Sequence, residues 1–179
     1  MDMATMLAQI GASQQPKRAV IEAPTAAPTI VYATGDAAEA AAAERYRKEA
    51  EALGKQDLAG ALANLADDVR WVDWSMPADL QGKPAVVASM KAIASAFPDA
   101  SMTPQTVVAA ADYVVACNRF KGTNSGMLPG TQISTGKPVD LGLCEIQRYA
   151  DGKVVDNQVF LNELGMAAQL GLLGGGAPK

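Results

Sequence analysis

The sequence predicts an α+β fold in which a cone-shaped, strongly curved and mostly antiparallel sheet carries three helices over its concave face. Two observations lead to this prediction. Helix-forming residues and helical spacing dominate from residue 36 to about residue 97, with one strand-like segment among them. Four strand-like segments follow as a meander. Because a helix buries one stripe against a sheet, the interior should be apolar and able to hold one small ligand.

The first two helices meet at a short Gly-Lys-Gln linker. Residues 36–53 are rich in Ala, Glu, Lys and Arg, all strong helix formers, and a glycine ends this helix. Asp57 occupies the N-cap position of the second helix, whose leucines recur at helical spacing. The acidic pair Asp67-Asp68 closes that helix, and residues 69–75, dense in Val and Trp, form the first strand.

The third helix and the meander follow from turn residues. Pro84 suits the first turn of the third helix, which Phe97-Pro98-Asp99 ends. Asp151-Gly152 is a hairpin turn, residues 124–136 form a loop, and residues 164–173 form a short final helix. The four predicted meander strands are 103–111, 113–123, 137–149 and 153–161.

The domain boundaries follow from composition. Residues 1–35 are predicted to be a flexible N-terminal arm, because their Ala, Pro and Thr show no sustained period. The patch Ile30-Val-Tyr32 within this arm is a candidate for docking on the domain or on a partner. The folded domain spans residues 36–173, and the Gly-rich residues 174–179 are predicted to be disordered.

Composition excludes several classes of function. The 179 residues carry 15 Lys and Arg against 19 Asp and Glu, so the positive charge that nucleic-acid binding needs is lacking. The absence of histidine excludes Ser-His-Asp and Cys-His catalysis and histidine-ligated zinc. No apolar run reaches the length of about 18 residues that a membrane span needs. No signal peptide is recognised, so a cytoplasmic location is expected.

The two cysteines, Cys117 and Cys144, lack the spacing of a metal site and cannot supply four zinc ligands. We expect both to be small apolar residues of the core. A disulfide between them is the alternative interpretation.

Five short motifs occur in the order and at the spacing found in one known family. They are Ala96-Phe-Pro-Asp99, Gly122-Thr-Asn-Ser-Gly126, Ser134-Thr-Gly-Lys137, Arg148-Tyr-Ala-Asp-Gly-Lys-Val-Val-Asp156 and Gly165-Met-Ala-Ala-Gln-Leu-Gly171. On these motifs the chain resembles the SnoaL-like polyketide cyclase (ester cyclase) group of the nuclear transport factor 2-like superfamily, from about residue 40 to residue 172.

This resemblance implies a conical fold that forms a homodimer or homotetramer through the outer face of its sheet. It also implies a reaction, the aldol ring closure of a polyketide ester, that needs no cofactor or metal. The expected ligand is a small hydrophobic or aromatic compound. In the family an Asp at the end of the last strand acts as general acid and base. Asn162 occupies its place here, and an amide takes up no proton near neutral pH. Asn124 stands where the family often has His, and Gln158 where an aromatic residue is usual.

Alternation along the last strand places Asp156, Gln158, Phe160 and Asn162 on one face. We orient this face toward the interior because it contains the functional position of the family. Gln158 and Asn162 then need hydrogen-bond partners, which each other, water or a ligand carbonyl can supply. In the alternative interpretation, Asn162 only caps the final helix.

The first strand offers a candidate general base. Trp71 and Asp73 share a face, and Trp74 points the other way. Burial beside a Trp would raise the pKa of the Asp73 carboxyl toward the working range of a base. In the alternative interpretation, Asp73 lies in solvent at the end of the strand and Trp71 belongs to the core.

Glu145 is the second candidate for a base. It shares a face of its strand with Gln147 and Tyr149. The alternative interpretation is an ion pair with Arg119 or Arg148 across the sheet.

Two functions are compatible with these residues. The first is a cyclase that removes a proton beside carbonyl groups and stabilises the enolate, with Asp73 and Asn162 as catalytic residues. The second is a non-catalytic protein that binds a small ligand or a partner, because Asn162 replaces the acid. An enzyme resembling limonene-epoxide hydrolase ranks third, since its Asp-Arg-Asp set has no match. The predicted ligand contacts are Trp71, Trp74, Asn118, Phe120, Asn124, Glu145, Gln158 and Phe160.

Overall fold

The computed structural model describes residues 27–173, and within them seven strands form one curved sheet that four helices accompany. The predicted C-terminal tail and residues 1–26 of the predicted arm lie outside the described residues. The elements are β1 (Thr29–Tyr32), α1 (Ala37–Gly54), α2 (Leu58–Ala61), β2 (Leu65–Asp73), β3 (Leu80–Gln81), α3 (Lys83–Ala96), β4 (Ser101–Ala110), β5 (Tyr113–Thr123), β6 (Pro138–Ala150), β7 (Lys153–Leu161) and α4 (Glu163–Leu170).

The predicted α+β fold and its meander are confirmed. The strand order is β1-β4-β5-β6-β7-β2-β3, and each neighbouring pair from β4 to β7 is antiparallel. Asp151, with a positive φ of 50°, and Gly152 form the β6–β7 turn that the sequence predicts. Two parallel pairs, β1 with β4 and β2 with β7, were not predicted, because such pairing joins segments far apart in the chain.

Strand β1 corrects the predicted start of the folded domain. It lies inside the segment predicted to be a flexible arm, yet Thr29 pairs with Thr106 and Tyr32 with Ala109 in parallel register. All four side chains of β1 are exposed, so the main-chain ladder rather than burial holds the strand on the sheet. Exposed side chains give no periodic apolar signal, so sequence patterning does not show a strand here. The expectation that the patch Ile30-Val-Tyr32 docks on the domain is confirmed, because these residues pair with β4.

Glu39 fastens this N-terminal segment to the domain. Its side chain is buried in the first turn of α1 and accepts hydrogen bonds from the backbone N–H groups of Thr34, Gly35 and Ala111. These donors, the Thr34 N–H first among them, lower the pKa of Glu39. Asp36 caps the same helix end by accepting from the backbone N–H groups of the first turn.

The second helix is much shorter than predicted. It covers only Leu58–Ala61, and Asp67 and Asp68 belong to strand β2 instead of closing a helix. Parallel pairing of β2 with β7 overrides the helical spacing of the leucines. That spacing still reflects burial, because Leu62 and Leu65 both lie in the core.

The core lies between the helices and the concave face of the sheet. Helix α1 packs on β4 and β5, and α3 packs on β2 and β3. Helix α4 covers β6, where its Leu170 joins a second apolar cluster with Phe97 and Leu141. None of the helices in residues 27–173 is long and apolar enough to cross a membrane. The largest fully buried side chains of the main cluster are those of Tyr46, Leu65, Val69, Val86, Val107, Val114 and Val154.

The prediction that both cysteines belong to the core is wrong. Cys117 is exposed and Cys144 is half-buried, and both are free thiols. They lie on the outer face of the sheet, because the alternation of β5 and β6 turns their neighbours Asn118 and Glu145 inward.

Gly126 anchors the β5–β6 loop to the end of α3, and replacing it should destabilise the protein. Its N–H donates to the carbonyl oxygen of Ala96 at 3.2 Å, and a Cβ would collide with the backbone carbonyl of Ser95. Because backbone cannot move aside as a side chain can, we expect Gly126→Ala to lower the free energy of unfolding by about 2 kcal/mol or more.

Gly142→Ala is the matched control, because a Cβ there meets no atom within 4 Å. Its effect should stay below about 1 kcal/mol. Denaturant unfolding of both variants tests the expectation, and equal losses would show that the close approach of the loop does not matter.

Candidate active site

Seven polar side chains meet in the interior where α1 crosses the concave face of the sheet. Each is at most 6% exposed, although polar groups usually avoid the core. Helix α1 supplies two of them, and β5, β6 and β7 supply the rest. We call this group the polar cluster; its members are Tyr46, Glu49, Asn118, Glu145, Gln147, Tyr149 and Asn157.

Local structure explains this convergence. Alternation along β6 turns Glu145, Gln147 and Tyr149 inward, on the face that the helices cover. Helical spacing brings Tyr46 and Glu49, three residues apart, onto one stripe of α1. The other buried residues of this helix are Glu39 in its first turn and three alanines, and the small alanines let the helix lie close to the sheet.

Glu145 is the centre of the polar cluster. Its Oε1 accepts from the Tyr46 hydroxyl at 2.5 Å and from Nδ2 of Asn118 at 3.1 Å. Its Oε2 lies 3.5 Å from Nδ2 of Asn157. These three donors are all neutral, so the buried carboxyl is solvated by dipoles instead of being paired with a cation.

The predicted ion pair of Glu145 is wrong. Arg119 forms a salt bridge with Asp140 near the surface. Arg148 lies on the other face of β6 from Glu145, since the two are an odd number of residues apart in an alternating strand.

A second buried carboxyl, that of Glu49, completes the cluster. Nε2 of Gln147 donates to its Oε1 at 3.0 Å, and the Tyr149 hydroxyl donates to Oε1 of Gln147 at 2.6 Å. The two glutamates therefore occupy one interior and belong to two linked hydrogen-bonded groups.

Burial controls the proton affinities of the polar cluster. It raises the pKa of Glu49 to about 8, and the nearby Glu145 carboxylate adds to this effect. Burial also raises the pKa of Glu145, against the opposite effect of the Tyr46 hydrogen bond. The pKa of Tyr46 is well above its usual value because of burial and the adjacent Glu145. The two carboxyls therefore hold and release protons at higher pH than ordinary glutamates do.

Asn157 carries an unsatisfied group. Its Oδ1 is the only buried side-chain nitrogen or oxygen of residues 27–173 that lacks a hydrogen-bond partner. A buried amide oxygen without a donor is unfavourable, so water or a ligand hydroxyl would be stabilised at this atom.

An apolar pocket of about 260 Å³ lies on the same side of the sheet. Its walls come from the end of α1, from α2 and α3, and from the start of β4, and none of its lining side chains is ionisable. The Gln56 side chain crosses its rim and donates to the carbonyl oxygen of Pro98 at 2.6 Å. The lining residues are Leu53, Gln56, Leu58, Met90, Ile93, Ala94, Phe97, Pro98, Ala100, Ser101 and Met102.

Phe120 stands between the pocket and the polar cluster. On β4 and β5 it pairs with Met102 of the pocket wall, and its ring meets the Phe97 ring edge-on at 5.5 Å. The next inward position of β5 is Asn118, two residues away. On the inner face of the sheet Phe120 therefore has Met102 of the pocket wall beside it on β4 and Asn118, a donor to Glu145, at the next inward position of β5.

Four of the predicted ligand contacts lie in the interior or beside it. Asn118 and Glu145 belong to the polar cluster, and Phe120 is partly buried against the second apolar cluster, next to Phe97 of the pocket wall. Trp71 is 5% exposed and pairs in register with Asn157 on the neighbouring strand β7.

The predicted inward face of the last strand is wrong. Asn157 and Val154 are fully buried, whereas Phe160 is 43% exposed and Gln158 only half-buried. Alternation from Asp156 to Asn162 is regular, so the grouping of these side chains holds and only the choice of face, which followed the functional position of the family, is wrong. Trp74, 63% exposed, stacks on Phe160 outside the interior at 6.0 Å.

Asp73 and Asn162, the predicted catalytic residues, each have a local partner. Asp73 is half-buried and accepts from the N–H and the hydroxyl of Ser75 at 3.0 and 2.5 Å. Asn162 is exposed and caps α4 by accepting from the Gly165 N–H at 2.9 Å. The structure does not bring these two side chains into the polar cluster.

Asn124 is buried in the β5–β6 loop. Its Oδ1 accepts from the N–H and hydroxyl of Thr135, and its Nδ2 donates to the carbonyl oxygen of Gly126. These bonds engage both ends of the amide in holding the loop.

Five members of the polar cluster were not singled out from the sequence: Tyr46, Glu49, Gln147, Tyr149 and Asn157. A polar pair spaced three residues apart within an alanine-rich helix stripe was the available signal for Tyr46 and Glu49. Among the described residues, no group of three or more Cys, Asp or Glu is placed to hold a metal ion.

Comparison with known proteins identifies the family. The family model of the SnoaL-like polyketide cyclases matches residues 43–170, and the chain belongs to this family. No curated protein matches the chain.

Solved structures show the same fold. AclR, a candidate hydroxylase from Streptomyces galilaeus, is 25% identical with a TM-score of 0.67, over 76% of this chain and 99% of AclR. A candidate SnoaL-like polyketide cyclase from Jannaschia sp. CCS1 is 19% identical with a TM-score of 0.65, over 79% and 94% of the two chains. IdmH, a candidate polyketide cyclase from Streptomyces antibioticus, is 22% identical with a TM-score of 0.62, over 73% and 98%.

The buried carboxyl of Glu49 makes stability depend on pH. A raised pKa in the folded state means that the folded protein holds more protons than the unfolded chain, so stability falls as pH rises from about 4.5 toward 8. Glu49→Gln keeps the acceptor for Gln147 and removes the titration. Between pH 6 and pH 8.5 the wild type should lose about 2 kcal/mol more of its free energy of unfolding than the variant.

Urea unfolding at the two pH values measures this difference. Glu44→Gln, on the exposed face of the same helix, is the control and should follow the wild-type pH profile. Parallel profiles for the wild type and Glu49→Gln would contradict a buried, titrating Glu49.

Proposed function

We propose that the chain catalyses the enolisation of a small hydrophobic carbonyl compound, followed by cofactor-free intramolecular aldol closure, with Glu145 moving the proton. One observation carries this proposal: a buried carboxyl with a raised pKa is held only by neutral donors, on the same inner sheet face that carries Phe120 and, paired with it, Met102 of an apolar pocket. Family membership alone does not fix a reaction, because one fold supports many chemistries.

Glu145 has the properties of a general base for a carbon acid. A higher pKa makes its carboxylate a stronger base, and it brings the ionisation closer to the pH at which the protein works. After accepting a proton from the carbon beside the carbonyl, the neutral acid is favoured by its buried surroundings. The same acid can then protonate the alkoxide that ring closure forms.

Tyr46 and Asn118 are the donors for the enolate oxygen. The Tyr46 hydroxyl has one proton, which it directs at Glu145 in the free protein, and Nδ2 of Asn118 in turn donates to the Tyr46 oxygen at 2.7 Å. When Glu145 becomes neutral, the donors lose a charged acceptor. The oxygen of a developing enolate would then accept the hydrogen bonds of Tyr46 and Asn118 in place of the carboxylate. Donors directed at the developing negative charge stabilise the transition state.

The pocket selects an apolar substrate of limited size. Its volume of about 260 Å³ and its aliphatic, aromatic and methionine walls suit one fused or aromatic ring. The carbonyl end of such a substrate would reach Asn118 and Glu145 once the Phe120 side chain turns aside. Trp71 would form the opposite wall, beside the unsatisfied oxygen of Asn157.

Asp73 and Asn162, the catalytic residues expected from the sequence, have other roles in this proposal. Asp73 lies in the same cross-strand row as Glu145, with Val159 of β7 between them, and is the competing base. Asn162 would contribute through the position of α4, which its side chain caps. Self-association as a homodimer or homotetramer stays a prediction, for which molar mass in solution is the test.

A non-catalytic ligand-binding protein is the second candidate function. The specific observation in its favour is that the pocket is complete without any ionisable side chain. In that case the polar cluster would be a structural device, and an aromatic or aliphatic ligand would bind without being changed.

Glu145→Gln separates the two candidates. The variant keeps the size of the side chain and an acceptor for Tyr46 but has no basic oxygen. Deuterium uptake from D2O into β-keto esters and aryl ketones, followed by mass spectrometry, measures enolisation without requiring the right ring-forming substrate. We expect the wild type to accelerate uptake and Glu145→Gln to lower kcat at least 100-fold, in the range of about 10²–10⁴ for a general base.

Three further variants complete this experiment. Glu44→Gln is the matched exposed control and should keep the wild-type rate. If Asp73→Asn abolishes uptake while Glu145→Gln does not, Asp73 is the base and the assignment to Glu145 is wrong. Met90→Trp should fill the pocket and abolish binding measured by calorimetry. Binding without any deuterium uptake in the wild type would favour the ligand-binding candidate.

A further inference from the structure

The two free thiols form a pair on the outer face of the sheet, where no part of the proposed function uses them. Cys117 on β5 and Cys144 on β6 are direct cross-strand partners. Their Sγ atoms lie 2.9 Å apart. Two cysteines at opposite register positions are therefore already in each other's reach.

The backbone at this position suits a covalent bond between the two sulfurs. Directly opposite residues of an antiparallel pair have Cα atoms about 4.5 or 5.5 Å apart, depending on the type of pair. Both values lie inside the range of about 4.4–6.8 Å that disulfides span. The Sγ atoms need to approach by about 0.9 Å to reach the bond length of about 2.05 Å, which side-chain rotation can supply.

The thiol pair lies directly behind the polar cluster. Asn118 follows Cys117 and Glu145 follows Cys144 in the chain, and both turn to the inner face. The hydrogen bond from Nδ2 of Asn118 to Glu145 therefore crosses the inner side of the same two strands. A bond between the sulfurs would fix β5 and β6 to each other at the point where they present these side chains.

We propose that Cys117 and Cys144 are a reversible dithiol–disulfide site that takes a low-molecular-weight disulfide, such as oxidised glutathione, as its oxidant. The Cys117 thiolate attacks one sulfur of the oxidant, and the S–S bond of the oxidant breaks to release one thiol. The Cys144 sulfur, on losing its proton, then attacks the mixed disulfide at Cys117 and expels the second thiol. Two protein thiols are oxidised and one disulfide is reduced to two thiols, so electrons balance.

Exposure assigns the order of the two steps. In the single chain Cys117 is exposed and can meet the oxidant, whereas Cys144 is half-buried. Burial and the neighbouring Cys117 raise the pKa of Cys144 to about 11, which makes it the slower nucleophile toward an external disulfide. The Cys144 sulfur lies 2.9 Å from the Cys117 sulfur, and once the mixed disulfide has formed, the second step takes place within one molecule. This proximity compensates for the high pKa of Cys144.

Oxidation by glutathione tests the proposal on the full chain. The folded protein is incubated with oxidised glutathione at pH 8, quenched with acid, alkylated with N-ethylmaleimide and weighed by mass spectrometry. We expect the wild type to lose the mass of two hydrogen atoms, to take up no alkylating reagent, and to recover both thiols when reduced glutathione is added. Cys144→Ser should trap one glutathione on Cys117, at least tenfold faster than Cys117→Ser traps one on Cys144.

Several outcomes would overturn the proposal. If the wild type keeps one glutathione per chain, Cys144 does not resolve the mixed disulfide. If the wild type forms a disulfide-linked dimer, the bond joins two chains and not Cys117 to Cys144 of one chain. Wild type that stays fully reduced, while the same protein in denaturant is oxidised, has thiols that are inaccessible, as they would be if a second copy covered this face. Circular dichroism of both single variants, which should match the wild type, shows that the substitutions leave the fold unchanged.

Discussion

The hydrogen bond between the Tyr46 hydroxyl and the Glu145 carboxyl is the interaction on which the arrangement of the interior depends. It joins the first long helix to the centre of the sheet across 99 positions of the chain. A carboxyl taken out of water without a cation is unfavourable unless donors replace its hydration. Tyr46, Asn118 and Asn157 supply those donors, so the position of α1 over β5 and β6 and the state of Glu145 are determined together.

The rest of the fold supplies what this interaction needs. An alanine-rich stripe lets α1 lie close to the sheet, and alternation in β6 directs three polar side chains inward in succession. The second carboxyl, Glu49, adds like charge to the same interior and keeps its own proton to a higher pH. Apolar walls on the α3 side form a pocket without ionisable side chains. Polar, titrating groups beneath an apolar pocket are an arrangement suited to proton transfer on a hydrophobic carbonyl compound.

Much of the fold follows from local pattern, whereas the site does not. The meander, the hairpin at Asp151 and the family resemblance all depend on short-range features, and the structure and the family match confirm them. The predicted orientation of β7 is wrong because alternation groups the side chains of a strand but does not show which group faces the core, and contacts with distant segments decide that. Glu145 was recognised as a candidate, but its partners were predicted to be arginines on the sheet and are Tyr46, Asn118 and Asn157.

The sequence by itself determined the α+β class, the order of the helices and of the four meander strands, the absence of histidine chemistry and the family. Each of these depends on residue type, on periodicity within a segment, or on motifs in order. Tertiary structure alone decided which carboxyls are buried, which face of β7 is inward, and that Cys117 and Cys144 are partners outside the core. The physical reason is that pKa, burial and cross-strand contact depend on neighbours contributed by distant segments, and only the register of the folded sheet brings those neighbours together.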